Sequence, residues 1–225
     1  MSITLYHGSK DIIQQPEYGK GKPYNDYGLG FYCTHEADMA KEWGVQKDRD
    51  GYANKYSLDS DGLSLLKLND EKYSILTWLT ILLENRQFEL SSPLAQEARQ
   101  YLLNNFKIEY QNYDLIIGYR ADDSYFSFAN DFINGGISVK QLSSALRLGK
   151  LGLQYVLKSK KAFEQIHFEG YEVAPSSIWY AKKVTRDFNA RQDYFDSRKN
   201  SRERGDLFIT QIIDEEIKNE DLRLR

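Results

Sequence analysis

Two aromatic side chains, Tyr32 and Trp43, have the types and the spacing to hold a flat ligand ring between them. Tyr32 follows Gly28-Leu29-Gly30-Phe31, a segment that predicts a tight turn and then a short strand that another group can approach closely. Residues 36–44 predict a short helix that carries Trp43. The two rings are therefore expected at a strand-to-helix corner. The same pattern is typical of a structural bulge with two core aromatics, so on its own it leaves both interpretations open.

The start of the chain adds groups that can exchange hydrogen bonds with a ligand. Alternation in residues 3–9 predicts a strand that ends in His7, Gly8 and Ser9. The sequence Leu-Tyr-His-Gly-Ser, the later Gly-Leu-Gly-Phe-Tyr-Cys-Thr, and an aromatic residue eleven positions after that Tyr resemble the His-Tyr-Glu branch of the ADP-ribosyltransferases. That branch includes diphtheria toxin and the poly(ADP-ribose) polymerases. More closely, the chain is similar to an uncharacterised bacterial family grouped with those enzymes.

The resemblance covers residues 1 to about 173 and implies an α+β fold. The implied architecture is a split antiparallel β-sheet with a cleft between its halves, where NAD binds as substrate without a metal. There His7 would bond to ribose hydroxyls, the Gly8 backbone to the nicotinamide amide, and Tyr32 and Trp43 would clamp the nicotinamide ring. The candidates for NAD binding that the resemblance supplies are Gly8, Ser9, Thr34 and Trp43.

The chain departs from the pattern of that superfamily at three positions. The strand predicted at residues 153–158 carries Gln154 where the resemblance implies the catalytic Glu, so the implied catalytic set is His7, Tyr32 and Gln154. A Ser that often helps to hold the nicotinamide amide is replaced by Ala40. Arginine-directed relatives carry a carboxylate or amide two residues before the Glu, and Gly152 stands there, which disfavours arginine as the acceptor.

The presence of Gln154, where the resemblance implies a Glu, affects the expected cleavage reaction. The implied reaction breaks the bond between nicotinamide and ribose, and positive charge develops on the sugar as nicotinamide leaves. A unit charge about 4 Å away is worth roughly 4 kcal/mol at an effective dielectric of about 20, or about three orders of magnitude in rate. Gln154 accepts the same hydrogen bond without the charge. Asp122 and Asp123 follow a predicted strand and are candidates for the missing carboxylate, or else cap the next helix.

Three functions follow as hypotheses. The first is an NAD-dependent mono-ADP-ribosyltransferase, acting on an unknown protein or nucleic acid as a bacterial toxin that a small antitoxin partner restrains. The second is a catalytically silent module that binds NAD or ADP-ribose, with an NAD glycohydrolase as a further alternative. The third is an interaction domain that uses the 17 tyrosines and a C-terminal helix.

Composition narrows the class of protein. At 225 residues and 41% hydrophobic, the chain is long and apolar enough for one folded domain with an insertion. One Cys excludes an internal disulfide, and the spacing of the three His residues predicts no zinc site. A net charge of −3 gives no general attraction to nucleic acid or to a membrane. Because no export signal or membrane span is visible, we expect a soluble cytoplasmic protein.

Local patterns predict the elements that position these residues. Residues 1–175 are expected to form the ADP-ribosyltransferase-like domain, with a hairpin around residues 59–62 and a helical insertion at about 70–108. Ser138 and Gln141 predict a capping box, and Ser159 a helix start. Residues 176–225 predict a charged extension with an amphipathic helix, which either folds back on the domain or docks on a partner.

Overall fold

Two β-sheets lie at the centre of the fold. The computed structural model describes residues 2–121, 123–147, 152–200 and 205–224, and the side chains of 123–125 and 197–200 lie outside that description. The strands are β1 (Ser2–Ser9), β2 (Phe31–Cys33), β3 (Gly51–Asp59), β4 (Leu65–Lys67), β5 (Leu115–Tyr119), β6 (Leu153–Leu157) and β7 (Ile166–Ala174). One sheet has the order β1-β3-β7 and the other β2-β6-β5-β4.

A backbone bridge joins the two sheets. Tyr6 of β1 and Thr34, just after β2, exchange two backbone hydrogen bonds of 2.7 and 2.9 Å. Neighbouring strands are antiparallel, except that β4 and β5 are parallel. The α+β class is therefore confirmed. The expectation of an antiparallel sheet holds for the β1-β3-β7 sheet and is wrong for the β4–β5 pair.

The predicted hairpin around residues 59–62 is also wrong. β3 ends at Asp59 and belongs to one sheet, whereas β4 begins at Leu65 and belongs to the other. β4 instead pairs with β5, with Leu65 opposite Leu115. The turn residues between β3 and β4 therefore carry the chain from one sheet to the next.

Eight helices surround the sheets in the described part of the chain. They are α1 (Ala37–Gly44), α2 (Ile75–Asn85), α3 (Pro93–Asn105), α4 (Asp123–Ile133), α5 (Val139–Ala145), α6 (Lys160–Glu164), α7 (Ser176–Asn200) and α8 (Ile209–Asp214), and a short 3-10 helix covers Leu222–Leu224. Ser92 and Ser159 cap α3 and α6 through side-chain oxygens, and Ser138 forms the predicted capping box with Gln141. No helix among the described residues is both long and apolar enough to cross a membrane.

The hydrophobic core fixes where the C-terminal segment lies. Every residue of α2 from Ile75 to Leu83 is buried, so this helix is enclosed on all sides. Ile209 and Ile212 of α8 are fully buried in the same core cluster. The Tyr101 hydroxyl of α3 donates to the Ile217 carbonyl at 3.1 Å. The C-terminal helix therefore folds back on the domain, which answers the choice that its amphipathic pattern left open.

Candidate functional site

A cavity of about 800 Å³ opens where the two sheets meet. Its volume is in the range of small-molecule binding pockets. β1, β2, α1 and β6 each contribute a wall, and the loop between β1 and β2 and the residues after β5 complete it. Five of the residues that the sequence singles out line this one cavity: His7, Gly8, Tyr32, Trp43 and Gln154.

His7 is held in a defined orientation at the end of β1. Its Nδ1 lies 2.7 Å from the backbone oxygen of Tyr32, and its ring stacks on Phe31 with centroids 4.4 Å apart. Since a carbonyl oxygen only accepts, we assign the proton to Nδ1, which leaves Nε2 as an acceptor. Burial lowers the pKa of His7, and the hydrogen bond to Tyr32 partly offsets that effect. His7 is therefore a neutral acceptor at neutral pH.

The Tyr32 side chain shapes the glycine turn that precedes it. Its hydroxyl accepts from the Tyr27 backbone N–H at 3.0 Å and donates to the Gly28 carbonyl at 2.6 Å. Gly28 has φ of +73°, a conformation that favours glycine. Lys158 closes the other side of the turn, with Nζ 2.6 Å from the Tyr27 carbonyl. Because the Tyr32 hydroxyl is already satisfied, the part of Tyr32 left for a ligand is its ring.

Trp43 lies on α1, which packs closely on β1. A Cβ atom at Gly8 would come within 2.8 Å of Trp43 Cβ, so only glycine allows this approach. The Arg120 guanidinium lies 3.9 Å from the centre of the Trp43 ring and covers one face. Trp43 Nε1 is buried and has no hydrogen-bond partner among the residues that the structure describes. Whether Tyr32 and Trp43 clamp a ring remains a prediction.

Gln154 presents an unusual polar group in the cavity wall. The residue lies on β6 opposite Gly118, and only 5% of its surface is exposed. Its Nε2 donates to Asp26 Oδ2 at 3.2 Å. Its Oε1 is buried and receives no hydrogen bond from any residue in the described ranges. A buried acceptor without a donor costs free energy, so Oε1 is suited to bind a ligand donor.

Asp26 is the site residue that sequence reasoning missed. It is 4% exposed and lines the cavity. Oδ1 pairs with Arg86 Nη1 at 3.0 Å, and Oδ2 accepts from the Ala121 N–H at 2.9 Å as well as from Gln154. Burial raises the pKa of Asp26, while the Ala121 N–H, Arg86, Arg120 and Gln154 act in the opposite direction. The available signal was a carboxylate within an aromatic and glycine-rich segment, but its partners lie far away in sequence.

Two further sequence candidates, Ser9 and Thr34, lie outside the cavity wall. Ser9 donates to the Asp11 carbonyl and accepts from Asn54, and Thr34 is buried at the bridge between the sheets; neither is among the residues lining the cavity. Asp122 and the side chain of Asp123 lie outside the described residues, so their role as a carboxylate pair or as caps stays a prediction.

Basic groups give the cavity a positive character. Arg86 and Arg120 reach it from the end of α2 and from the residue after β5, and Lys20 and Lys22 approach from the loop between β1 and β2. Glu17, which also lines the cavity, pairs with Lys20 at 2.5 Å. Such a wall favours an anionic ligand. Within the described ranges, no group of three or more His, Cys, Asp or Glu side chains could hold a metal ion.

Comparison with known proteins adds one match. No curated protein and no solved structure matches the chain significantly. The sequence profile of a family described as "Protein of unknown function (DUF3990)" matches residues 3–168. This range includes every residue singled out above as lining the cavity, from His7 to Gln154. Since the match covers well over half of the 225 residues, the chain belongs to the DUF3990 family.

Proposed function

We propose that the protein is an NAD-dependent mono-ADP-ribosyltransferase with its active site in the cavity between the sheets. The observation that carries the proposal is the meeting of His7, Tyr32, Trp43 and Gln154 in one cavity, although they lie on four separate elements. The resemblance of the sequence motifs selects the same four residues. The parts of the proposed ligand, a flat ring, ribose hydroxyls and a pyrophosphate, correspond to the aromatic, acceptor and basic groups of the wall.

Each group has a role in the proposed complex. The nicotinamide ring lies between Tyr32 and Trp43, both of which line the cavity. His7 Nε2 and Gln154 Oε1 accept hydrogen bonds from ribose hydroxyls, since the proton on Nδ1 leaves Nε2 as an acceptor and Oε1 has no donor in the described ranges. The backbone of Gly8 bonds to the nicotinamide amide. The cationic groups of the wall face the pyrophosphate.

Positive charge develops on the ribose during the proposed reaction. The bond between ribose C1′ and the nicotinamide nitrogen breaks, and its electron pair leaves with neutral nicotinamide. The positive ribose then bonds to a nucleophile of the acceptor, which loses a proton. Gln154 stabilises this stage through the dipole of its side-chain carbonyl, because a hydrogen bond from the ribose hydroxyl strengthens as the sugar becomes positive.

A second candidate function has its own support. A module that binds NAD or ADP-ribose without cleaving it is favoured by the amide at Gln154 and by Arg86 and Arg120, whose positive charges oppose a cationic transition state. Hydrolysis of NAD without transfer is the third outcome of the same experiment.

Incubation of the purified chain with NAD labelled on the adenylate, in the presence of a bacterial lysate, separates these functions. Label on protein or nucleic acid together with free nicotinamide supports the transferase. Nicotinamide release without transfer identifies a glycohydrolase, and saturable binding without release identifies the silent module. The transferase proposal fails if the chain neither transfers label nor releases nicotinamide. The matched control is Trp179→Ala, because Trp179 lies on α7 and is not among the residues lining the cavity.

We propose further that the enzyme acts in the bacterial cytoplasm as a toxin held in check by a small antitoxin. The resemblance motivates this proposal, and a row of exposed apolar residues on α7, Val184, Phe188 and Phe195, supports a partner-binding surface. Expression of the chain alone should stop growth, and co-expression of the neighbouring gene should restore it. Normal growth with an active enzyme in the cell would contradict the toxin proposal.

A further inference from the structure

The wall of the cavity contains a carboxylate and an amide in direct contact. Asp26 Oδ2 lies 3.2 Å from Gln154 Nε2, and both residues are at least nine-tenths buried. We infer that Asp26 is the positioning residue of this site: its carboxylate holds the Gln154 amide so that Oε1 is the atom offered to a ligand hydroxyl. The identity of that hydroxyl, a ribose hydroxyl of NAD, rests on the proposed function, whereas the coupling of the two side chains does not.

The two ends of a glutamine amide have nearly the same shape, so an amide needs a partner to fix its orientation. Asp26 supplies that partner because an ionised carboxylate can only accept hydrogen bonds. The carboxylate itself is immobilised, since Arg86 and the Ala121 N–H bond to it from two further directions. Turning the Gln154 amide over would set Oε1 against Asp26 Oδ2, two acceptors facing each other, and would break the Nε2 hydrogen bond. The observed orientation is therefore the one that the ionised carboxylate enforces.

Asp26 contributes to the site more by orienting the Gln154 amide than by its negative charge. Asp26 brings one negative charge to the wall, but Arg86 and Arg120 bring two positive charges that act on the same carboxylate. The field at the ribose from this group is therefore not that of an isolated anion. The hydrogen bond from Gln154 Nε2 to a carboxylate also polarises the amide, which makes Oε1 a better acceptor. Asp26 thus acts through Gln154 and does not replace a catalytic glutamate.

Protonation of Asp26 allows the Gln154 amide to take the opposite orientation. A neutral carboxyl can donate, so Gln154 can turn its Oε1 toward Asp26 and present Nε2 to the cavity, where a hydroxyl then finds no acceptor. The charged and titratable groups around Asp26 are Arg86 on α2, Arg120 after β5, the hydroxyls of Tyr27 and Tyr32, and more distantly His7, which lines the same cavity. Burial raises the pKa of Asp26, so the reversal occurs at higher pH than for an exposed aspartate.

The first test needs no ligand. In the native chain labelled with ¹³C and ¹⁵N, acid titration should move the Gln154 side-chain amide resonances and the Asp26 carboxyl carbon with one common midpoint. In Asp26→Asn the amide resonances should lose that transition, and any remaining movement belongs to His7. The control is Glu42→Gln, another buried carboxylate paired with an arginine, which should leave the transition unchanged. Separate midpoints in the native chain, or a Gln154 amide that does not respond, would overturn the inference without recourse to any variant.

The second test measures NAD cleavage. Asp26→Asn should lower kcat about ten- to a hundredfold and change the affinity for NAD much less, because the oriented hydrogen bond matters most in the transition state. The reciprocal exchange Asp26→Asn/Gln154→Glu restores an acceptor-only group toward the ligand, and its activity should return to at least the native level. Equal losses in the single and double variants would refute the positioning role. A shared midpoint in a chain that neither binds nor cleaves NAD would reject the proposed function and limit Asp26 to orienting an amide.

Discussion

The sequence and the structure lead to different expectations for the activity of the variant Gln154→Glu. From the sequence alone, a glutamate at this position restores the missing charge and should raise NAD cleavage by ten-fold or more, because it adds a negative charge where the sugar becomes positive. The structure changes this expectation. Asp26 lies 3.2 Å from the atom that the substitution converts to a carboxylate oxygen.

The magnitude follows from that distance. Two unit charges 3.2 Å apart repel by about 5 kcal/mol at an effective dielectric of about 20, which equals about four pKa units. Arg86 and Arg120 reduce the repulsion, but burial already raises the pKa of Asp26. We therefore expect the two carboxyl groups to hold one proton between them, as other close carboxyl pairs do. The total charge of the wall stays the same, and cleavage should not rise at neutral pH.

The assay is nicotinamide release by the native chain and by Gln154→Glu over a range of pH, with urea unfolding to confirm that both are folded. The variant should gain activity only at alkaline pH, as the shared proton leaves, and the native chain should show no such rise. In the background of Asp26→Asn, Gln154→Glu should already be active at neutral pH. A gain of ten-fold or more at neutral pH with Asp26 intact would contradict this expectation.

Three further predictions concern the same wall. Trp43→Ala should weaken NAD binding by about 1–3 kcal/mol in calorimetry because it removes an aromatic wall, while Trp179→Ala should bind normally. Tyr32→Phe keeps the ring and should bind NAD as before, but urea unfolding should show a loss of about 1–2 kcal/mol because the Tyr27 N–H loses its acceptor. The pKa of Asp26 is raised in the native chain, so the native chain binds the Asp26 proton more tightly than the unfolded chain does. The resulting contribution to the free energy of unfolding is present in acid and is lost as the pH rises through the native pKa. Asp26→Asn should lack that decline when unfolding is followed against pH.

The sequence is informative wherever the signal is local. Serine caps at Ser138 and Ser159 were predictable because the capping oxygen and the N–H that it accepts from are three residues apart. The strand that carries Gln154 was predictable from its apolar and aromatic residues after Gly152.

The sequence does not predict contacts between residues that lie far apart in the chain. β4 was assigned to a hairpin with β3 because the turn residues between them suit one, yet its partner β5 lies about fifty residues further on. Asp26 is separated by 60 residues from Arg86 and by 128 from Gln154. No periodicity or spacing in the sequence links residues so far apart. The contacts of Asp26 form only when the loop between β1 and β2, the end of α2 and β6 pack together.

We propose that the cavity between the sheets binds and cleaves NAD. The most direct test of this proposal is calorimetric titration of the native chain with NAD, followed by measurement of the nicotinamide released from the same sample. We expect saturable binding of one NAD per chain, weakened in Trp43→Ala, and nicotinamide release above the uncatalysed rate. Absence of binding at millimolar NAD, in a chain that unfolds cooperatively, would contradict the proposal.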